Sequence, residues 1–334
     1  MDSGDQLVPR ESAVYREFVR LYRVARRIRP TSVDRWNGAL YATSRGVWGS
    51  ASPTTGAIRL SAQHVLPYLT GRTSHTHPGE QAEALATVLH EATHTGMNLK
   101  AQSEPNAVYS EHSAGLTEGV AELRVMADFD AFADLAGYQE LVLPRPQYPG
   151  AHAASDRLLD QAAGLNVNRK ALLNRLIAGP AVMHFDALAD GVVRNRLWDV
   201  VPHHPTHQHT VRAALIQPMI HLAWPKLPDH SAPLGARIAD EIRSDLNAKV
   251  DEIRRHYRLG GAGPFGDDLR VRGIAEVRAE PAQVDTLRFL SAQAPATGAV
   301  AQRPRLGQGA RRTGAGSGPV VRAPTASRPP GLET

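Results

Sequence analysis

Cysteine is absent from the 334 residues. Neither disulfides nor thiolate metal sites can form, which removes Cys-ligated zinc fingers, Cys-dependent deaminases and thiol proteases together. Long apolar runs are missing too. The most apolar late stretch, residues 213–224, is broken by Gln217, Pro218 and His221, so no membrane span is expected. The first ten residues are polar and lack the apolar core of a signal peptide. The expectation is a soluble cytoplasmic protein, with leaderless export left open. The body of the chain also lacks net charge. The whole sequence carries +5, and residues 291–334, with six Arg and the single acid Glu333, account for all of it. Residues 1–290 therefore sum to zero, which excludes a basic nucleic-acid-binding body. The tail itself is Gly, Pro, Ala, Ser and Arg with almost no large apolar residue, a composition expected to be disordered. An acidic partner or RNA could be tethered there, and a plain flexible extension is the simpler reading.

What is present centres on residues 84–96, ALATVLHEATHTG. On an α-helix, residues four apart lie one above the other. His90 and His94 can therefore point two imidazole nitrogens at one Zn²⁺, with Glu91 beside a water at that site. Pro78 and Gly79 punctuate the start of this helix, Glu80 and Glu83 suit its first turns, and Leu85, Leu89 and Ala92 supply an apolar stripe. With 15 His and 15 Glu in the chain, HExxH arises by chance at roughly 3%, before any helical context is required.

A catalytic zinc site takes three protein ligands. The extended pattern HExxHxxGxxH is excluded, because Met97 and Lys100 stand at its Gly and third His positions. A glutamate from a following helix is the alternative. Residues 116–123, LTEGVAEL, place Glu118 and Glu122 on one face while Leu116, Val120 and Leu123 pack elsewhere. Such carboxylates are costly to bury unless coordinated or hydrogen-bonded. Glu111 and His112 compete for the third position.

HExxH followed by an EGxAE-type helix resembles the zincin metallopeptidases, in their glutamate-ligand branch, the gluzincins, over about residues 61–130. The resemblance implies His90, His94 and Glu118 as ligands of one catalytic Zn²⁺ and Glu91 as the general base. It implies Glu122 as the acid that orients a ligand histidine, a position often filled by Asp in the family. It further implies hydrolysis of peptide bonds in a peptide or protein substrate. The GxMEN-type element of zinc aminopeptidases is absent, so that assignment has no support.

The rest of the chain is organised around this stretch. Residues 11–29 read as an amphipathic helix with Val14, Phe18, Leu21, Val24, Ala25 and Ile28 on one side, and with Arg16, Arg20, Arg23, Arg26 and Arg27 as a solvated face. Residues 39–42, 46–48 and 57–60 read as a sheet of two or three strands. By the resemblance, residues 46–50 or 57–60 form the edge that pairs with an extended substrate. A second helix starts at Ser110 or Ser113, and Pro144, Pro146 and Pro149 mark a boundary after it. Helices are expected over 155–163, 168–177, 181–188, 210–221 and 237–257, and a strand or short helix over 269–277.

The expected class is α+β. A zincin-like core with a small mixed sheet and active-site helix spans residues 1–140, a helical C-terminal lobe 151–290, and the tail 291–334. His203, His204, His207 and His209 form an exposed run that could hold a second metal or stabilise an oxyanion. Oxyanion donors stay open among His209, Tyr109, His184, His221 and Tyr257. Two other classes compete with the peptidase: a zincin-fold binding or scaffolding protein with a structural or vestigial metal site, and a nucleic-acid-associated protein acting through the tail.

Overall fold

The computed structural model describes residues 5–261 and 263–266. The expected element at 269–277 and the tail at 291–334 lie outside the described residues. The fold is α+β and mostly helical, with one small mixed sheet. Helix α1 (Ala13–Ile28) starts where the Ser12 side chain accepts the amide of Tyr15, and it buries Phe18, Leu21, Tyr22 and Ala25. Its arginines are not all solvated as expected. Arg29, just past its end, clasps Asp128 with two hydrogen bonds of 2.5 and 2.7 Å, and Arg26 holds the backbone of Thr31 and Val33.

The sheet has four strands in the order β1 (Asp5–Leu7), β2 (Leu40–Thr43), β4 (Ile58–Ser61), β3 (Gly49–Ala51). β1 runs antiparallel to β2, β2 parallel to β4, and β3 antiparallel to β4. Of the two alternatives for the substrate edge, residues 57–60 drop out, because β4 is paired on both sides. The strand expected at 46–48 falls at Gly49–Ala51 instead, and it is one of the sheet's two edges, β1 being the other. β1 was hidden in a polar leader. Its pairing with β2 and the ion pair from Arg59 to Asp5 (2.8 Å) hold it, neither of which alternation of apolar residues could announce.

Helix α2 (Pro78–Thr95) has Pro78 in its first turn, and from Ala84 to Thr95 every residue is buried. Helix α3 (Glu111–Leu135) follows Ser110. Five helices complete the described chain: α4 (Pro149–Ala162), α5 (Arg169–Ala178), α6 (His184–Val192), α7 (Pro205–Met219) and α8 (Ala232–Arg258). α7 begins five residues before the expected start, because Pro205 is suited to the first turn and draws His207 and His209 into the helix. No helix among the described residues is long and apolar enough to cross a membrane.

Two apolar cores meet on α3. Its C-terminal half sends Val125, Phe129 and Phe132 into the core built by α1, α2 and the sheet. Its N-terminal half sends Leu116, Val120 and Leu123 into the core built by α4 to α8. Between the two lies the fully buried Arg124, whose guanidinium donates to the Ala25 carbonyl (2.6 Å) and to Thr93 Oγ1 (3.1 Å). Burial pulls its pKa down to about 10, with the Asp128 carboxylate opposing. This polar cross-brace ties α1 and α2 to α3.

The close approach of α4 explains the glycine within EGxAE. A Cβ at Gly119 would stand 1.9 Å from Ser155 Oγ and 2.7 Å from the Ala151 carbonyl oxygen. Glycine inside a helix costs about 1 kcal/mol relative to alanine, so its presence is a packing requirement. Gly119→Ala is expected to force α4 away from α3, lowering stability by about 1–3 kcal/mol. Urea or thermal unfolding with the metal held constant measures this, and an unchanged midpoint would refute the packing role.

Candidate metal centre

Helical spacing brings His90 and His94 to the same side of α2, and α3 crosses opposite them with Glu118. Among the described residues this is the one group of three or more potential ligand side chains close enough to share an ion. His90 Nε2 lies 2.9 Å from His94 Nε2 and 3.0 Å from Glu118 Oε2, and His94 Nε2 lies 3.5 Å from the same oxygen. Tetrahedral ligand atoms around a zinc with bonds of about 2.0–2.1 Å stand about 3.3–3.4 Å apart. The triangle is thus close to the size that a small divalent cation requires.

Glu122 decides the protonation of the centre. It is fully buried, and its Oε1 lies 2.7 Å from His90 Nδ1. With Nδ1–H donating to that carboxylate, neutral His90 turns the lone pair of Nε2 toward His94 and Glu118. Glu118 Oε1 and Glu91 Oε2 are also buried and make no hydrogen bond among the described residues. Acceptors converging in a dry site need a cation, and two imidazoles with a carboxylate suit zinc or another divalent transition metal. The residues fit such an ion.

Without an ion, protons answer part of that demand. Burial pushes the His90 ring down, but its hydrogen bonds to Glu118 and Glu122 overcome this and hold it well above the usual histidine value. Burial likewise pushes Glu118 up, and the neighbouring His94 and His90 reverse it, to about 2. Glu91 goes the other way. Desolvation lifts it to about 7, with His90 and His94 only partly offsetting.

Glu91 faces the edge strand. A Cβ at Gly49 would stand 2.7 Å from both Glu91 Oε1 and Thr87 Cγ2, so β3 can lie this close to α2 only as bare backbone. On the opposite side comes Tyr148, the residue just before α4. Its ring centre is 5.3 Å from that of His90, and burial together with Glu118, Glu91 and Glu122 holds its phenol well above the ordinary value, hence protonated. Sequence reasoning missed Tyr148, which sits in the proline-rich stretch read only as a boundary. A tyrosine directly before Pro149-Gly150 at a helix start was the available signal.

Two of the five candidate oxyanion donors, Tyr109 and His209, come from outside α2 and α3. Tyr109 lies in the α2–α3 loop, where its hydroxyl accepts the amide of Ala101 at 3.0 Å. His209 lies on α7, where its carbonyl accepts Asn106 Nδ2 at 3.3 Å. His184 is a buried neighbour of His94. It lies 3.3 Å from Thr117 Oγ1 and 3.0 Å from the Leu176 carbonyl, and desolvation depresses it to about 4. The histidine run builds the start of α7: His204 caps it, His203 stacks on Trp198 with ring centres 3.8 Å apart, and His207 meets the Tyr257 hydroxyl at 3.0 Å. Glu111 and His112 occupy the first turn of α3, outside the triad.

One divalent ion per chain is expected from elemental analysis or equilibrium dialysis, and Glu118→Ala should lose it or bind it far more weakly. His90 is raised above its ordinary value in the metal-free protein, so the ion must displace a proton. Affinity should therefore rise with pH, and zinc addition should release protons into a weakly buffered solution; binding with no proton release would contradict this protonation pattern. Comparison with protein families, with curated proteins and with solved structures gives no match, so the chemistry is inferred from the centre's own geometry.

Proposed function

We propose that the chain is a zinc-dependent metallopeptidase of the glutamate-ligand zincin type, acting on an extended peptide or protein segment. The observation that carries this reading is the juxtaposition of three features. A group of three potential metal ligands, a buried Glu91 with an acceptor oxygen free of hydrogen bonds among the described residues, and the edge strand β3, whose Ala51 backbone bonds Glu91, lie together. A purely structural site needs neither of the last two, which disfavours a scaffolding role.

His90, His94 and Glu118 would hold a zinc ion, which would supply Lewis acidity and make water at the site a better acid. The chain's own groups do the rest. An extended substrate pairs with the outer edge of β3, which sets its carbonyl beside Glu91. Glu91 takes the proton of the attacking water and delivers it to the departing amine. A carboxyl that burial has lifted toward neutrality is matched to both halves of that transfer. Tyr148 keeps its proton and donates a hydrogen bond to the oxygen that becomes negative at the tetrahedral stage. Glu122 fixes the His90 tautomer.

Glu91→Gln is expected to retain its metal and lose about 10³-fold or more in turnover of a cleaved peptide, since general-base catalysis alone contributes about 10²–10⁴-fold. Tyr148→Phe should retain metal and lose about 10–10³-fold in kcat with little change in KM. Peptide-library cleavage read by mass spectrometry supplies the substrate. Wild-type turnover in metal-loaded Glu91→Gln would rule out the mechanism. Metal binding with no cleavage of any library peptide would return the site to a structural role.

A further inference from the structure

Gln147 is fastened at three points. Its backbone amide donates to Glu122 Oε2 at 2.8 Å, and its side-chain Nε2 donates to Thr87 Oγ1 at 2.8 Å and to the Glu83 carbonyl at 3.0 Å. The other oxygen of Glu122 is the one that holds His90. A single carboxylate therefore fixes a metal-ligating histidine and, through the next residue, the backbone that carries Tyr148. Both ends of Gln147 are anchored to the machinery of the centre, one on α3 and one on α2.

Tyr148 has no helical backbone of its own to hold it. It precedes α4 with φ −111° and ψ 73°, and the chain before it is broken by Pro144 and Pro146. Its far side is already clamped, because Gly150 packs so tightly that a Cβ there would stand 2.4 Å from the Leu227 carbonyl oxygen. The near side is held by Gln147. An aspartate in place of Glu122 is one methylene shorter, and the two-handed grip from His90 to the Gln147 amide would be lost. This gives a physical reason for glutamate at that position.

We propose that Gln147 is a positioning residue that holds the Tyr148 hydroxyl at the metal centre, and that Glu122 links this placement to the seating of His90 as a ligand. The proposal rests on the metal-centre reading, and its test does not depend on turnover. The probe is 3-fluorotyrosine at position 148, observed by ¹⁹F NMR during titration with Zn²⁺ alone. In the otherwise wild-type chain the resonance should shift in step with one equivalent of zinc. In Gln147→Ala, zinc still binds, but the shift should be lost or the line broadened as the ring samples several positions. Gln147→Met, which keeps the bulk and removes both side-chain donations, should behave like Gln147→Ala and serves if the alanine variant folds poorly.

A kinetic cycle gives the independent readout. Gln147→Ala should lower kcat about 10–100-fold, the scale of a small misplacement of a catalytic group, with KM nearly unchanged. The same substitution in a Tyr148→Phe background should have almost no further effect, because a residue acting through Tyr148 has nothing left to position. An unaltered zinc-dependent resonance in the Gln147 variants, or full additivity with Tyr148→Phe, would overturn the proposal. Failure of the wild-type chain to bind zinc at all would instead overturn the metal-centre reading on which it rests.

Discussion

Three electron-pair donors that point at each other inside a protein repel unless something positive sits between them. That constraint governs the middle of this structure. His90, His94 and Glu118 converge within 3.5 Å, and Glu122 removes the easy escape by claiming the other nitrogen of His90. Each group answers its neighbours' charge, His90 pulled up by Glu118 and Glu122 and Glu118 pulled down by His94 and His90 within the same few ångströms. Neighbouring elements are arranged to keep this group buried and in register. α2 is buried from Ala84 to Thr95, and Arg124 braces it against α3 from below.

The reach of the centre extends through backbone contacts that tolerate no side chain. Gly119 lets α4 press on α3, which carries Tyr148 toward His90. Gly49 lets the edge strand press on α2, which brings main chain beside Glu91. The two glycines work on opposite sides of the same site, and each trades local propensity for proximity. A bulkier residue at either would widen the space around the centre without touching a ligand.

How much of this was legible in the sequence follows from which contacts are local. His90 with His94, and Glu118 with Glu122, are i, i+4 pairs, and helical periodicity announces such pairs directly. The start of α2 was readable from Pro78, and that of α3 only to within three residues, between Ser110 and Ser113. Tyr148 and Gln147 were not. They reach the site because α4 packs on α3, a contact between elements that no window of sequence contains. β1 was silent for the same reason, being two exposed residues and one half-buried one whose strand character comes from β2. The edge position of β3 depended on the order of pairing, which composition does not encode. Arg26 misled in another way, since a charged residue reads as surface until its partners, here the Thr31 and Val33 carbonyls, are known.

α3 belongs to both apolar cores, with Leu116, Val120 and Leu123 in one and Val125, Phe129 and Phe132 in the other. Neither half of the molecule can melt while leaving the other its full complement of contacts, because the helix that would be lost is common property. Glu118 and Glu122 lie on the N-terminal half of this shared helix, close to where the cores join. Drawing Glu118 away from His90 and His94 would therefore disturb a helix on which both cores depend.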